Sequence, residues 1–324
     1  MSLVHHAMTI DGEGIVLVVG DSRERRIDVR SRNGEVLRSC ILTGGGVLYR
    51  PSGVAVDGAG NFVVADTGND RVVVFDAAGG FVRTFDGSGS GAGELRHPSG
   101  VAVDGAGSIY VADLHNHRVV VFDAAGRVLR TLGGEGGGAG ELRNPKGVAV
   151  DGAGSVYVAD WSNDRIVVFD AAGRVREFGG GELTRPTGVA VDGAGSVYVA
   201  QQDRIFVFSG AGDFVGTLTV RGVPVFGTDD LQSPKSVAVD GAGNVFVLSH
   251  SWARPTDAVV VFEQPMRSYE ENVRRRALAV FMNLHRRLGT NAFELDDAVW
   301  RTIWDVVPRR TEDLSDMAPG RRIM

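Results

Sequence analysis

Cysteine is almost missing from this sequence: Cys40 is the single one. That excludes an intrachain disulfide framework, any Cys-based zinc domain such as a RING or B-box, and a CxxC redox pair. Lysine is nearly as scarce. Lys146 and Lys235 stand against 32 arginines, which reads as codon bias. Aromatic residues make up only 7% of the chain, and no stretch reaches 18 consecutive apolar residues, so no helical membrane span is predicted. Residues 1–9 lack the charged and apolar regions of a signal peptide. Together with the lone cysteine, this gives the expectation of a cytoplasmic protein. A helical period is also missing from everything before residue 268.

What the chain has in excess is glycine, 46 of 324 residues, and it recurs in register with short apolar runs rather than in linkers. The string Gly53-Val54-Ala55-Val56-Asp57-Gly58 returns from Gly100, Gly147 and Gly188, and again from Ser236 with serine in place of the first glycine. A worn copy, Ala7-Met8-Thr9-Ile10-Asp11-Gly12, opens the chain. The marker aspartates Asp11, Asp57, Asp104, Asp151, Asp192 and Asp240 are spaced 46, 47, 47, 41 and 48 residues apart. Six units of this length fall in the range of propeller blades.

Each unit reads as four short strands, a to d. In the third unit, Gly-Val-Ala-Val-Asp is strand a, Ser108 to Ala112 strand b, Arg118 to Phe122 strand c and Val128 to Leu132 strand d. Gly-Ala-Gly and Asp-Ala-Ala-Gly supply the turns, with glycine available for positive φ. Strands b and c are continuous valine-rich runs, the pattern of strands buried on both faces. Blades stacked around an axis bury both faces of each sheet and leave only short edges. The expected fold is all-β, a six-bladed β-propeller of four-stranded blades over residues 1–264, with a short C-terminal α-helical tail.

Three segments of the third unit carry a resemblance: Pro98-Ser99-Gly100-Val101-Ala102-Val103-Asp104, Val111-Ala112-Asp113, and Asn116-His117-Arg118-Val119-Val120-Val121-Phe122-Asp123. They resemble the NHL repeat, and the resemblance covers about 260 residues. It implies the propeller fold and leaves function open. Relatives include RNA-binding and ubiquitin-ligase-associated propellers, receptor sensor domains, and the zinc-dependent peptidyl-hydroxyglycine amidating lyases. The ligase association normally comes from a RING domain, which one cysteine cannot build.

Four constellations invite a chemical reading. The first is a pair across the b–c loop, Asp66…Arg71, Asp113…Arg118 and Asp160…Arg165, with Asp21…Arg26 in the first unit. In the last unit Ser249 and Ala258 replace both members, and the fifth has Gln201 and Arg204. Identical pairs around a ring suit a structural bond pinning each loop, not catalysis. The second is the set of strand-a aspartates. Each precedes glycine, where Asp bonds its own turn, and six at propeller radius are too spread for one ion. The third is His97, His115 and His117. An open zinc site takes three convergent protein ligands, and the matching loops hold Thr67 and Asn69, or Trp161 and Asn163, so no metal and no cofactor is expected. The fourth is the pair of glycine-rich loops, 87–93 and 133–140. They lack the Lys-Ser/Thr and the helix of a phosphate-binding loop.

The loop face remains, where scaffolds commonly carry function. Candidate ligand-binding residues there are His115, Trp161 and Trp252 from the b–c loops, and Arg50, Arg96, Arg143 and Arg185 just before strand a. Lys146 and Lys235 hold a ring position filled elsewhere by His6, Ser52, Ser99 and Thr187. Trp and Arg dominate interface hot spots, so the expected activity is non-enzymatic binding of a protein or peptide. A metal-dependent channel enzyme is the first alternative, and an RNA-binding or ubiquitin-pathway adaptor the second. Residues 265–324 carry 11 Arg against 9 acidic residues, which leaves residues 1–264 with 23 basic and 31 acidic side chains. That net charge of −8 disfavours nucleic acid as a partner, since phosphate binding rests on Lys and Arg.

Beyond the repeats, Ser268-Tyr269-Glu270-Glu271 is a capping box, and Val273, Ala277, Phe281, Leu284 and Leu288 share one helical face before Gly289. A second helix over 295–307 carries Trp300 and Trp304. This hairpin, residues 265–308, is too small for its own core and is expected to pack on the propeller or on a partner. Residues 309–324 read as disordered.

Overall fold

A computed structural model describes residues 7–11, 16–19, 26–30, 36–86, 89–202, 204–218, 234–249 and 258–262. The chain divides into two units, Met1–Pro265 and Met266–Met324. The helical hairpin expected from sequence, and Trp252 with it, lie outside the described residues.

Each repeat forms one antiparallel sheet with its strands in chain order. The first four sheets are β1–β4 (Ala7–Ile10, Val16–Val19, Arg26–Arg30, Val36–Ile41), β5–β8 (Gly53–Val56, Phe62–Asp66, Arg71–Phe75, Phe81–Asp86), β9–β12 (Pro98–Val103, Ile109–Asp113, Arg118–Phe122, Val128–Gly133) and β13–β16 (Pro145–Val150, Val156–Asp160, Arg165–Phe169, Val175–Phe178). A fifth comprises β17–β20 (Gly188–Val191, Val197–Gln201, Arg204–Phe208, Phe214–Leu218). The last has three strands among the described residues, β21–β23 (Pro234–Val239, Val245–Ser249, Ala258–Phe262). No helix among the described residues is long and apolar enough to cross a membrane.

The valine-rich second strands β6, β10, β14 and β18 are buried along their whole length, whereas the fourth strand β12 is almost entirely exposed. Each repeat therefore runs from interior to surface. The apolar cores lie between sheets rather than within them. One joins Ile27 and Val29 to Phe62 and Val64, and the next joins Val63 and Val72 to Val111 and Phe122. Two more continue the series through the fourth and fifth sheets. Phe85 of β8 stacks on Phe122 of β11 with centroids 5.4 Å apart, one such bridge between neighbours.

The first strands lie side by side in a cycle: β1 by β5, β5 by β9, β9 by β13, β13 by β17, β17 by β21, and β21 by β1. Closure between the last sheet and the first uses a core of Met8, Ala238, Phe246 and Leu248. It also uses a hydrogen bond from Ser236 Oγ to the Met8 carbonyl, 3.1 Å. These close approaches explain the glycine that opens strand a. A Cβ on Gly100 would sit 2.4 Å from the Lys146 carbonyl oxygen, and one on Gly53 would sit 2.2 Å from that of Ser99. At Gly188 the corresponding distance is 3.3 Å, and the last repeat replaces the glycine with Ser236.

The marker aspartates fall just outside strand a. Asp104 Oδ1 accepts the N–H groups of Ala106 (2.9 Å) and Ser108 (2.8 Å), and its other oxygen accepts the Tyr110 hydroxyl (3.0 Å). Asp57, Asp151, Asp192 and Asp240 bond their turns in the same way. They are turn-makers.

Candidate functional site

The b–c loops and the d–a loops meet at one end of the ring. Each b–c loop in the second to fourth sheets is one 3-10 turn, at Thr67–Asn69, Leu114–Asn116 and Trp161–Asn163. It ends on a left-handed residue, Asp70, His117 or Asp164, with φ of 54 to 57°. Asp, Asn and His are the non-glycine residues that tolerate this region best. The residue before the strand-a proline is left-handed too, as at Arg50, His97, Asn144 and Arg185.

These two strained positions bond each other across sheets. The N–H of His97 donates to Asp70 Oδ1 (2.7 Å) and that of Arg185 to Asp164 Oδ1 (2.7 Å). Between them, the N–H of Asn144 donates to His117 Nδ1 (3.0 Å). His117 thus takes the acceptor role that Asp plays in the neighbouring repeats.

Beneath the loops lies a second bond set. Asp113 is fully buried, and its Oδ1 accepts the N–H of Arg96 (2.7 Å). Its Oδ2 accepts Asn116 Nδ2 and Arg118 Nε, both at 2.8 Å. Arg118 extends to the carbonyls of Glu94 (2.6 Å), Gly91 (2.8 Å) and Ser90 (3.3 Å), so it ties down the d–a loop as well. Asp160 and Arg165 repeat this at 3.0 Å, Asp66 and Arg71 at 2.7 Å, and Gln201 Oε1 accepts the N–H of Thr184 (2.6 Å) in the fifth sheet. Sequence reasoning missed the asparagines Asn69, Asn116 and Asn163, which join every one of these pairs. Their fixed place, two residues before the Arg, was the available signal.

The glycine-rich loops are likewise committed. Gly91 N–H donates to Glu94 (2.8 Å) and Gly138 N–H to Glu141 (2.7 Å).

Inside the ring runs a channel of about 620 Å³, walled by the valines, alanines and glycines of all six first strands. The loop-face end adds Ser52, Ser99, Lys146, Thr187, Lys235, Thr67, Leu114 and His97. Lys146 Nζ lies 4.3 Å from the centre of the Trp161 ring, and the Arg185 guanidinium 5.1 Å from the same ring. Burial, then the nearby Arg185 charge, push the Lys146 ammonium below its usual range. His115 stacks on His97 at 4.3 Å. Burial lowers His115, reinforced by His97, Arg96 and His117 and opposed by Asp70.

Among the sequence-predicted residues, the structure brings together Lys146, Trp161 and Arg185, and separately His115 and His97. Lys235 faces the same channel. Arg50, Arg96 and Arg143 are exposed on the loop face, with Arg50 5.4 Å from the Tyr49 ring. Among the described residues, no three His, Cys, Asp or Glu side chains come together as a metal-binding group.

Comparison with known proteins bears on the fold. No curated protein matches the sequence. A streptogramin B lyase structure superposes with a TM-score of 0.58 at 12% identity, covering 80% of this chain and 82% of that one. A catalytically inactive virginiamycin B lyase from Staphylococcus aureus, with quinupristin, gives 0.56 at 12% identity, covering 82% and 86%. A gluconolactonase from Xanthomonas campestris gives 0.55 at 17% identity, covering 80% and 86%. At these identities the likeness is one of fold. The family model of the NHL repeat matches residues 48–75, 95–122 and 142–169, each running from the end of a d–a loop through strands a, b and c. The chain therefore carries NHL repeats, and its fold is that of β-propeller proteins.

Proposed function

We propose that the six sheets form one six-bladed propeller that acts as a non-enzymatic scaffold, binding a protein or peptide on the loop face around the channel mouth. The observation that carries this reading is the group Lys146, Trp161 and Arg185, an indole flanked by two cations at the rim of an open channel. Trp and Arg are the residues that most often dominate interface energetics. The carboxylates of this face support the same reading, because they are spent on architecture. Asp66, Asp113 and Asp160 accept loop N–H groups and arginines, and Asp70 and Asp164 bridge neighbouring sheets. Residues 265–308 would serve as a helical attachment that packs on the last sheet or on a partner. The cytoplasm is the proposed compartment.

Affinity capture from cell lysate tests this. The wild-type chain is compared with Trp161→Ala/Arg185→Ala and with Leu129→Ser, an exposed outer-strand control. A specific partner retained by the wild type and the control but lost by the rim variant supports the reading. Retention by all three refutes it.

A second reading, a channel enzyme of the amidating-lyase kind using a metal, draws support from one observation. The channel volume of about 620 Å³ lies within the roughly 300–1,000 Å³ of small-molecule sites. Stoichiometric zinc or calcium in the purified protein would move the balance toward it.

A further inference from the structure

The ring position just inside the channel mouth is used in two ways. Ser52 Oγ donates to the Ser99 carbonyl (3.2 Å), Ser99 Oγ to the Lys146 carbonyl (2.7 Å) and Thr187 Oγ1 to the Pro234 carbonyl (3.1 Å). Each hydroxyl thereby latches one first strand to the next. Lys146 and Lys235 occupy the same position in the fourth and sixth sheets and contribute no such hydroxyl. The Lys146 ammonium lies against Trp161 instead, half-buried, with Arg185 over the same ring.

Among the described residues, no carboxylate pairs with the side chains of Lys146, Lys235 or Arg185. Among the described residues, the loop-face acids Asp66, Asp70, Asp113, Asp160 and Asp164 are already committed, as above. A cation withdrawn from water without a counter-charge is costly, and cations converging on one mouth add mutual repulsion. An anion at the mouth would relieve both. Lys146 and Lys235 are also the only lysines of the chain. A sequence that otherwise uses arginine at all 32 basic positions departs from it only at two equivalent points of the channel. The compact ammonium on a flexible stem fits a narrow wall of Val, Ala and Gly, where a planar guanidinium would need several fixed partners.

We propose that the channel mouth is a carboxylate-binding site, in which Lys146 and Lys235, with Arg185 at the rim, take a carboxylate of a peptide. This rests on the loop face being a surface for a protein or peptide. A carboxylate fits better than a phosphate. In the described glycine-rich loops, Gly91 and Gly138 already donate to Glu94 and Glu141. The indole and the apolar wall suit the carbon skeleton of a peptide.

The test uses the full chain and isothermal titration with three probes: N-acetyl-hexa-aspartate amide, N-acetyl-hexaglycine with a free C-terminus, and inorganic phosphate. Binding of the first locates the carboxylate on acidic side chains, and binding of the second on a chain terminus. Either result supports the proposal if Lys146→Ser/Lys235→Ser weakens it at least tenfold. The serines recreate the hydroxyl latch, so the melting temperature of that variant is expected to hold or rise. Lys146→Met/Lys235→Met gives the same readout should the serine variant fold poorly. The proposal is overturned if neither peptide binds at 50 mM salt, if phosphate alone binds, or if the lysine variants bind as the wild type does. A partner captured equally by wild type and by Lys146→Ser/Lys235→Ser overturns the carboxylate site alone. Loss of capture in Trp161→Ala/Arg185→Ala would then still uphold the binding face.

Discussion

Replacing Arg118 with alanine probes the bond set under the loops. Asp113 would remain fully buried with two donors, Arg96 N–H and Asn116 Nδ2, but without its charge partner. Losing a hydrogen bond to a charged group costs about 1.5–3 kcal/mol. The carbonyls of Ser90, Gly91 and Glu94 also lose a donor, yet these bonds lie toward the surface, where water replaces much of it. The total is about 2–4 kcal/mol, below the ~3–5 kcal/mol for stripping the sole partner from a buried charge. With a urea dependence of about 3 kcal/mol per molar, the unfolding midpoint should fall by roughly 1 M. The repeats supply their own controls. Arg165 bonds three loop carbonyls and also Glu177, with its side chain 10% exposed. Arg71 reaches only the Val47 carbonyl, at 3.4 Å, with its side chain 17% exposed. The expected order of cost is therefore Arg165→Ala, then Arg118→Ala, then Arg71→Ala. Equal midpoints for the three variants, or an unchanged one for Arg118→Ala, would refute the account of these pairs.

Other perturbations have distinct signatures. Gly100→Ala drives a methyl group to 2.4 Å from a backbone oxygen and should abolish soluble expression or lower the melting temperature steeply, while Gly105→Ala, with open space around it, should not. His117→Asp restores the acceptor of the neighbouring repeats and should match wild-type stability, whereas His117→Ala should lose about 1 kcal/mol in urea unfolding. Burial works to raise Asp104, but the Ser108 N–H, the Tyr110 hydroxyl and the Ala106 N–H outweigh it, so its carboxyl sits below the usual range. Its stabilising contribution is present above the unfolded value near pH 3.9 and disappears as pH falls through the lower folded value. Acid unfolding of Asp104→Asn should accordingly start from lower stability at neutral pH and fall less between pH 4 and 2. Ending the chain at Gln264 removes the amphipathic segment read from sequence and should lower the melting temperature, which scanning calorimetry would show.

Much of the architecture was open to reading because one unit is written several times. The strand-a string, the valine runs and the turn dipeptides agree across the second to fourth copies, and strand limits moved by only a residue or two. Strand a of the third, fourth and sixth sheets starts at its proline and ends before its aspartate, because that carboxylate turns back onto its own N–H groups. Asp113 and Arg118 stand out in sequence because the pair recurs at one spacing across a short loop. The left-handed residues did not stand out. Asp70, His117, Asp164, His97 and Asn144 adopt positive φ for bonds made between sheets, and no local pattern encodes a partner 21 to 27 residues away. His117 shows the consequence, since a histidine suggestive of a ligand is an acceptor for Asn144. The channel mouth was half legible. The alignment of repeats put Lys146 and Lys235 at one ring position, but the stacking of Lys146 and Arg185 on Trp161 depends on how the fourth and fifth sheets meet.

Hydrogen–deuterium exchange on the complex with the captured partner addresses the placement of the binding face most directly. Protection is expected in residues 67–70, 94–97, 114–117, 141–146, 161–164 and 182–187, the loops that surround the channel mouth. Protection confined to the outer strands, residues 81–86, 128–133, 175–178 and 214–218, with the mouth loops exchanging as in the free protein, would contradict it.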